Sequence, residues 1–325
     1  MQTILGASGQ IAQELARVLA LSFSAELRLV SRHPKKVTDS DTLMSADLLD
    51  VNQTMQAVKG SRIVYFAAGL PPDASLWEQQ FPVMLHNALT ATRLAGAHFV
   101  YFDNTYMYPQ DSRLQAEDTT FQPSGRKGHV RAMMANMVLE EIQRGDIPVL
   151  IGRAPEFYGP GKTQSFTNAL VFDRLKAGKK PLVPVRDDTL RTLIWTPDAS
   201  RALALLGNTP DAYGQTWHLP CCEDRITYAQ FVSMACSVFG KDTSWSVLSK
   251  FALYVAGMFS KGPRELRELL PRYEADNLFD SSKFKMHFPD FEITTYKQGL
   301  ERIYTEWKNI SAMKRGKKFI MDVCE

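Results

Sequence analysis

Apolar residues in the first half of the chain alternate between two spacings. Thr3-Ile4-Leu5 is a short apolar run that ends in Gly6-Ala7-Ser8-Gly9. Directly after it, Ile11, Leu15, Val18 and Leu19 recur at the spacing of one helix face. The pattern predicts strand, glycine turn and helix in that order. Glu26 to Ser31 reads as a second strand, a short third strand precedes Ser45-Ala46-Asp47-Leu48-Leu49, and Val51 to Val58 reads as a helix capped by Asp50 or Asn52. Arg62 to Phe66 is the fourth strand and leads into the small residues Ala67-Ala68-Gly69. Trp77 to Ala95 reads as a long helix, kinked or restarted at Pro82, and Phe99 to Phe102 as the fifth strand. Strands alternating with helices in this way predict an α/β fold built on a doubly wound parallel sheet, with ligands at the carboxyl ends of its strands.

That expectation gives the glycine turn a chemical meaning. Gly6 and Gly9 let the backbone approach a pyrophosphate, and the unpaired N–H groups at the start of the next helix, from Gln10 and Ile11 onward, suit its negative charge. The end of the second strand selects the nucleotide. A carboxylate there suits the ribose 2′-hydroxyl of NAD, whereas Ser31-Arg32, followed by His33-Pro34-Lys35-Lys36, suits the extra phosphate of NADP. NADP is therefore expected over NAD. Asp47 has two readings, an acceptor for an adenine amino group or a turn residue ahead of a helix.

Composition narrows the class. With 325 residues, 45% of them hydrophobic, the chain can bury a large core. A net charge of +3 from 38 basic and 35 acidic residues argues against a nucleic-acid partner held by electrostatics. Cys221, Cys222, Cys236 and Cys324 have no CxxC spacing, and the six histidines show no metal spacing, so neither a disulfide nor a metal site is expected. There is no leader-like start and no apolar run of about 18 residues, so the sequence is read as cytoplasmic, without a membrane partner.

Several motifs together resemble the short-chain dehydrogenase/reductase superfamily, and more closely its extended branch, the NAD(P)-dependent epimerase/dehydratase family. Gly6-Ala7-Ser8-Gly9-Gln10-Ile11-Ala12 is similar to the family's glycine motif with alanine for the third glycine, Asp47-Leu48 to its adenine-contacting pair, and Ala67-Ala68-Gly69 to the segment after its fourth strand. Phe157-Tyr158-Gly159-Pro160-Gly161, after the strand Val149 to Arg153, resembles its Tyr-Gly-Pro turn. Leu193 to Ser200 and the closing helix Thr294 to Trp307 extend the likeness over nearly the whole chain. The resemblance implies a Rossmann fold with a smaller C-terminal substrate lobe. The expected division is 1–153 plus about 190–207 for the NADP-binding domain, and 154–189 plus 208–325 for the lobe. It also implies a small-molecule substrate, and it leaves the oligomeric state open.

The catalytic half departs from the family pattern. Members use a serine or threonine beyond the fifth strand and a Tyr-x-x-x-Lys pair one helical turn apart, the tyrosine exchanging a proton and the lysine lowering its pKa and holding the nicotinamide ribose. Here Asn104 falls at the serine position with Thr105 beside it, Lys127 stands at the tyrosine position and Arg131 at the lysine position. Arg131 can bind ribose hydroxyls but cannot titrate near neutral pH. Lys127 reads either as a proton donor with a depressed pKa or as an exposed lysine. Tyr106 and Tyr108, just past the fifth strand, are substitutes for the missing phenol or parts of a pocket wall. Two literal Tyr-x-x-x-Lys strings are set aside. Tyr158 to Lys162 contains glycines and a proline, and Tyr304 to Lys308 lies in the last helix, away from any strand end.

The remaining features carry bland readings. His129 reads as a surface residue and His218 as half-buried, Arg186 and Arg191 resemble anion-meeting positions or structural partners of Asp187 and Asp188, and Lys314-Arg315-Gly316-Lys317-Lys318 as a solvated basic run. Ser249 to Phe259 reads as a core helix of the lobe rather than a membrane-surface helix. The function expected is an NADP-dependent oxidoreductase or epimerase/dehydratase-like enzyme acting on a small carbonyl or hydroxyl substrate, sugar-like ones included. The alternative is a non-catalytic NADP(H)-binding redox sensor or partner-binding module.

Overall fold

The first strand of the computed structural model, β1 (Gln2–Leu5), runs through the Gly6–Gly9 turn into α1 (Gln10–Phe23). After these come β2 (Leu27–Ser31), β3 (Thr42–Ser45), α2 (Val51–Val58), β4 (Ile63–Phe66), α3 (Ala74–Ala95), β5 (His98–Asp103) and α4 (Gly125–Arg144). Residues 1–161, 163–242 and 244–323 are described, with 313–323 by backbone alone. Lys162, Cys324 and the side chains of the basic run 314–318 lie outside the described residues.

Seven parallel strands form the central sheet in the order Thr216–His218, Val149–Arg153, β5, β4, β1, β2, β3. Successive side chains of a strand face opposite sides, and both sides are apolar because helices cover both. Ile4, Leu29, Val100 and Leu150 pack with Leu15, Leu19, Leu203 and Leu206, of α1 and the helix Thr196–Gly207. Leu5, Val30, Val64 and Phe99 pack on the other face with Leu85, Ala88, Met134 and Val138, of α3 and α4. The Thr216–His218 strand, grouped with the lobe by the sequence reading, is an edge strand of this sheet.

Local chemistry sets the element ends. Asp50 accepts from the N–H groups of Asn52 and Gln53 and so caps α2, and Asp73 does the same for α3 with Ser75 and Leu76. The helix α3 begins before Trp77 and continues through Pro82 rather than restarting there. Past Arg153 the chain builds short strand pairs: Glu156–Tyr158 with Leu193–Trp195, Leu182–Pro184 with Ser246–Leu248, and Leu190–Arg191 with Ile226–Thr227. They enclose an aromatic core of Tyr158, Phe172, Trp195, Phe231 and Tyr296. The helix Lys250–Phe259 is no core helix: only Leu253 and Gly257 are buried, whereas Phe251, Tyr254, Met258 and Phe259 are exposed. Its buried face meets Leu266, Leu269 and Leu270, of a segment that reaches back to the sheet.

Gly6 is held at φ 88°, and a Cβ there would overlap the backbone of Ala67 and Ala68. Only glycine permits both the left-handed backbone and the close approach of the β1 turn to the end of β4. Gly6→Ala is expected to lower the unfolding free energy by at least about 2 kcal/mol, read from urea denaturation. A loss below a few tenths would mean that the turn relaxes freely.

Candidate active site

Along the carboxyl ends of the strands lies a cleft of about 540 Å3. One end is formed by the glycine turn. Gly6, Ser8, Gly9, Gln10 and Ile11 line it, and no side chain caps α1, so the N–H groups of its first turn are left for a ligand. The Gln10 amide reaches across to the Pro160 carbonyl and ties this turn to the Tyr-Gly-Pro segment. Ser31, Arg32 and His33 close that end, with the Ser8 hydroxyl 2.8 Å from that of Ser31. Arg32 is exposed, and among the described residues no carboxylate pairs with it. Asp47 and Leu48 line the cleft further along. One carboxylate oxygen of Asp47 accepts from the Leu49 N–H at 3.0 Å, which makes the turn and leaves the other oxygen outward. Ala67, Ala68 and Gly69 form the floor.

At the other end Asn104, Tyr106, Lys127 and Arg131 converge. Arg131 is buried with its guanidinium 4.9 Å from the Trp77 ring centre and 4.4 Å from that of Phe81. It donates to the Tyr101 hydroxyl at 3.5 Å, and its Nε is buried without a partner. An orphaned donor beside the cleft is chemically suited to a ribose hydroxyl. The Trp77 ring stacks on Tyr106, with centres 6.0 Å apart and planes 14° off parallel, and the Arg272 guanidinium lies 5.0 Å from the Tyr106 ring on its own side. Two stacked rings between two guanidiniums therefore form a ladder from α4 to the lobe. Burial pushes the Tyr106 phenol upward in pKa, and the charge of Arg272 acts the other way.

Lys127 is neither exposed nor free. It is 1% exposed, and its Nζ donates to Glu265 Oε2 at 2.6 Å and to the Glu265 carbonyl at 2.8 Å. The same Glu265 carboxylate accepts from the Ala74 N–H at 3.0 Å, and Glu268 accepts from the Lys127 N–H. The site therefore holds its lysine in a structural ion pair that joins α4, α3 and the helix Lys261–Leu266.

Two of the candidate catalytic residues stand outside the cleft. The Thr105 hydroxyl accepts from Arg272 at 2.7 Å and faces a smaller adjoining cavity. Tyr108 is fully buried behind β5, hydrogen-bonded to His218 Nε2 at 2.7 Å and accepting from Arg153, which in turn pairs with Asp103 at 3.0 Å. Its phenol is pushed up to about 12 by burial, against the pull of Arg153. His218 is completely buried rather than half-buried, with Nδ1 donating to the Asp280 carbonyl. Arg186 pairs with Asp188 at the surface, and Arg191 pairs with Glu156 inside the lobe. His129 is exposed. Among the described residues no group of three His, Cys, Asp or Glu could hold a metal, and no helix is long and apolar enough to cross a membrane. Cys221, Cys222 and Cys236 are free thiols. Trp77, Phe81, Glu265 and Arg272 were not singled out from the sequence, since nothing local distinguishes them from core aromatics and surface charges.

A glycine turn beneath an uncapped helix, opening on a cleft at the carboxyl edge of a parallel sheet, defines a nucleotide-binding α/β protein of the doubly wound class. The model of the NAD dependent epimerase/dehydratase family matches residues 3–219, and the chain belongs to that family. A search of curated proteins found no match. Among solved structures, UDP-glucuronic acid 4-epimerase from Bacillus cereus, in complex with UDP-glucuronic acid and NAD, superposes with a TM-score of 0.78 at 16% identity, over 95% of this chain and 100% of that one. The epimerase Mth375 from Methanothermobacter thermautotrophicus gives 0.78 at 14% identity, over 97% and 94%. MoeE5 in complex with UDP-glucose and NAD gives 0.75 at 20% identity, over 96% and 99%. At these identities the likeness concerns the fold.

Two expectations follow. Lys127→Met removes one partner of a buried pair and should cost about 3 kcal/mol, with the Lys127→Met, Glu265→Gln double variant less unstable than the sum of the singles. A urea-unfolding cycle with no coupling would refute the pairing. Burial, aided by Arg153, holds the His218 pKa well below its usual 6.5. The unfolded chain therefore takes up that proton first, so stability is full above about pH 6.5 and falls as the pH drops below it. His218→Asn should flatten the slope of unfolding free energy between about pH 7 and pH 5; an unchanged slope would assign it to other groups.

Proposed function

We propose that this protein is an NADP-dependent oxidoreductase or epimerase of an atypical kind, acting on a small carbonyl or hydroxyl substrate. The observation that carries the reading is the single cleft in which the glycine turn, Ser31-Arg32, Asp47, the Ala67–Gly69 floor and Arg131 meet. The residues fit a dinucleotide. Gly6 lets the turn close on the Ala67–Ala68 backbone at the cleft, the first turn of α1 offers free N–H groups, and the orphaned Nε of Arg131 is available to a ribose. Ser31 and Arg32 would hold the 2′-phosphate, Asp47 the adenine, and Arg131 the nicotinamide ribose. The solved neighbours include complexes with NAD, and the preference for NADP here rests on Arg32 and on the lack of a carboxylate at the end of β2.

When bound, the nicotinamide supplies or accepts a hydride. The chain's own residues handle the oxygen. Asn104 uses its side-chain carbonyl to hold the Tyr106 N–H at 3.0 Å, which leaves its amide N–H groups for a substrate oxygen. Tyr106 keeps its proton at neutral pH and lies beside the Arg272 charge that would stabilise a phenolate. In the reducing direction Tyr106 would give its proton to the substrate oxygen while the carbonyl carbon takes the hydride that a bound nicotinamide would supply, so that the C=O π bond would be replaced by C–H and O–H bonds. Lys127, held by Glu265, positions α4 and takes no part in this transfer.

Calorimetry should give micromolar or tighter binding of NADPH and weaker binding of NADH, with Arg32→Ala losing about tenfold for NADPH and little for NADH. Equal affinities would overturn the assignment of NADP. Turnover of a carbonyl panel with NADPH should fall about 100-fold or more in Tyr106→Phe without a matching loss of cofactor affinity. The second reading, a module that binds NADP(H) without chemistry, is favoured by the commitment of Lys127 to Glu265. Confirmed NADPH binding with no turnover of any carbonyl would select it.

A further inference from the structure

The wall of the cleft that carries Asn104 and Tyr106 has a second side. Behind it lies a cavity of about 40 Å3, which shares Asn104, Tyr106, Phe166 and Leu269 with the cleft and is closed at the back by Arg272. The buried charges around it do not balance. Glu156 is its one acidic lining residue, and that carboxylate is saturated: Arg191 donates at 2.6 Å, and Thr167 and Tyr273 each donate at 3.0 Å. Arg191 is spent on Glu156 and on the Arg272 carbonyl. Arg272 is 6% exposed, donates to Thr105 at 2.7 Å and lies over the Tyr106 ring. Among the described residues no carboxylate lies within ion-pair distance of it. One carboxylate therefore faces two guanidiniums, and burial pushes the Arg272 pKa down, the mark of a charge short of compensation.

Resting on the function proposed above, we propose that this cavity is the anchoring site for the carboxylate of a small oxo or hydroxy acid, with Arg272 as its counter-ion. Size and charge select the class. A volume of about 40 Å3 is room for a few water molecules, hence for a carboxylate group, but not for a nucleoside diphosphate. The guanidinium presents a fork suited to a planar carboxylate, and its burial strengthens the pair. A carboxylate held there leaves the neighbouring carbonyl carbon at the wall shared with the cleft, beside the Asn104 amide and the Tyr106 phenol. Arg272 is thus a specificity-determining residue, and the substrate is compact and anionic.

The experiment is calorimetric titration of the full chain, with and without NADPH, by pyruvate, 2-oxobutyrate, 3-oxobutyrate and 4-oxopentanoate, each against its uncharged amide. At least one acid should bind about tenfold or more tightly than its amide, and Arg272→Met should abolish that preference while leaving NADPH affinity within about twofold. If no acid binds, if acid and amide bind alike, or if Arg272→Met keeps the preference, the anchor is refuted. Should Arg272→Met fail to fold, the comparison of acid with amide in the unaltered protein decides by itself. NADPH binding without an acid preference removes this inference and leaves the cofactor reading. An acid preference without NADPH binding does the reverse.

Discussion

The carboxylate of Glu265 is the constraint on which the cleft depends. It takes the Lys127 ammonium from α4 and the Ala74 N–H from the first turn of α3, and it stands on a segment of the lobe far from both in sequence. Removing a lysine from water carries a cost of several kcal/mol that only a close, fully bonded partner offsets. Once made, the pair fixes the distance between the two helices that carry Trp77, Phe81 and Arg131. The geometry of the aromatic wall follows from it.

That wall sets two stacked rings between two charges. Arg131, Trp77, Tyr106 and Arg272 stack in sequence, each cation over a π face. Such a ladder tolerates two buried guanidiniums because the rings supply partial compensation without bringing in carboxylates that would repel an anionic ligand. It also explains how the site keeps positive charge where the family places Tyr-x-x-x-Lys. On the function proposed, the phenol would come from the strand side as Tyr106 and the cation from the lobe as Arg272, while Lys127 at the helix position pairs with Glu265.

Sequence alone brings the expected cofactor residues to one cleft, because their placement is local. Gly6, Ser8, Gly9, Ser31, Arg32, Asp47 and Ala67–Gly69 all sit at strand ends, and a parallel sheet brings every strand end to one edge, so their convergence follows from element order. It fell short where a residue's state depends on a distant partner. Lys127 read as a proton donor or as an exposed lysine, and neither reading foresaw the pairing, because its partner lies 138 positions away. Thr105 and Tyr108 lie close to Tyr106 in the loop after β5, and their packing turns both away from the cleft, toward Arg272 and His218. For the helix Lys250–Phe259, composition suggested a core element, yet only one narrow face has anything to pack on.

What the sequence determined by itself is the sheet, the order of its units and the glycine turn, because these rest on periodicity and on glycines whose backbone freedom no other residue supplies; the family followed from the likeness of its motifs. What only the tertiary structure decided is the electrostatic state of the substrate end: which lysine is paired, which arginine is left over, and which tyrosine faces the cleft. Those outcomes depend on Glu265, Glu156 and Arg272, brought in from the lobe and distant in sequence from the groups they meet. Burial sets the energy of a charge, and burial is a property of the packed whole.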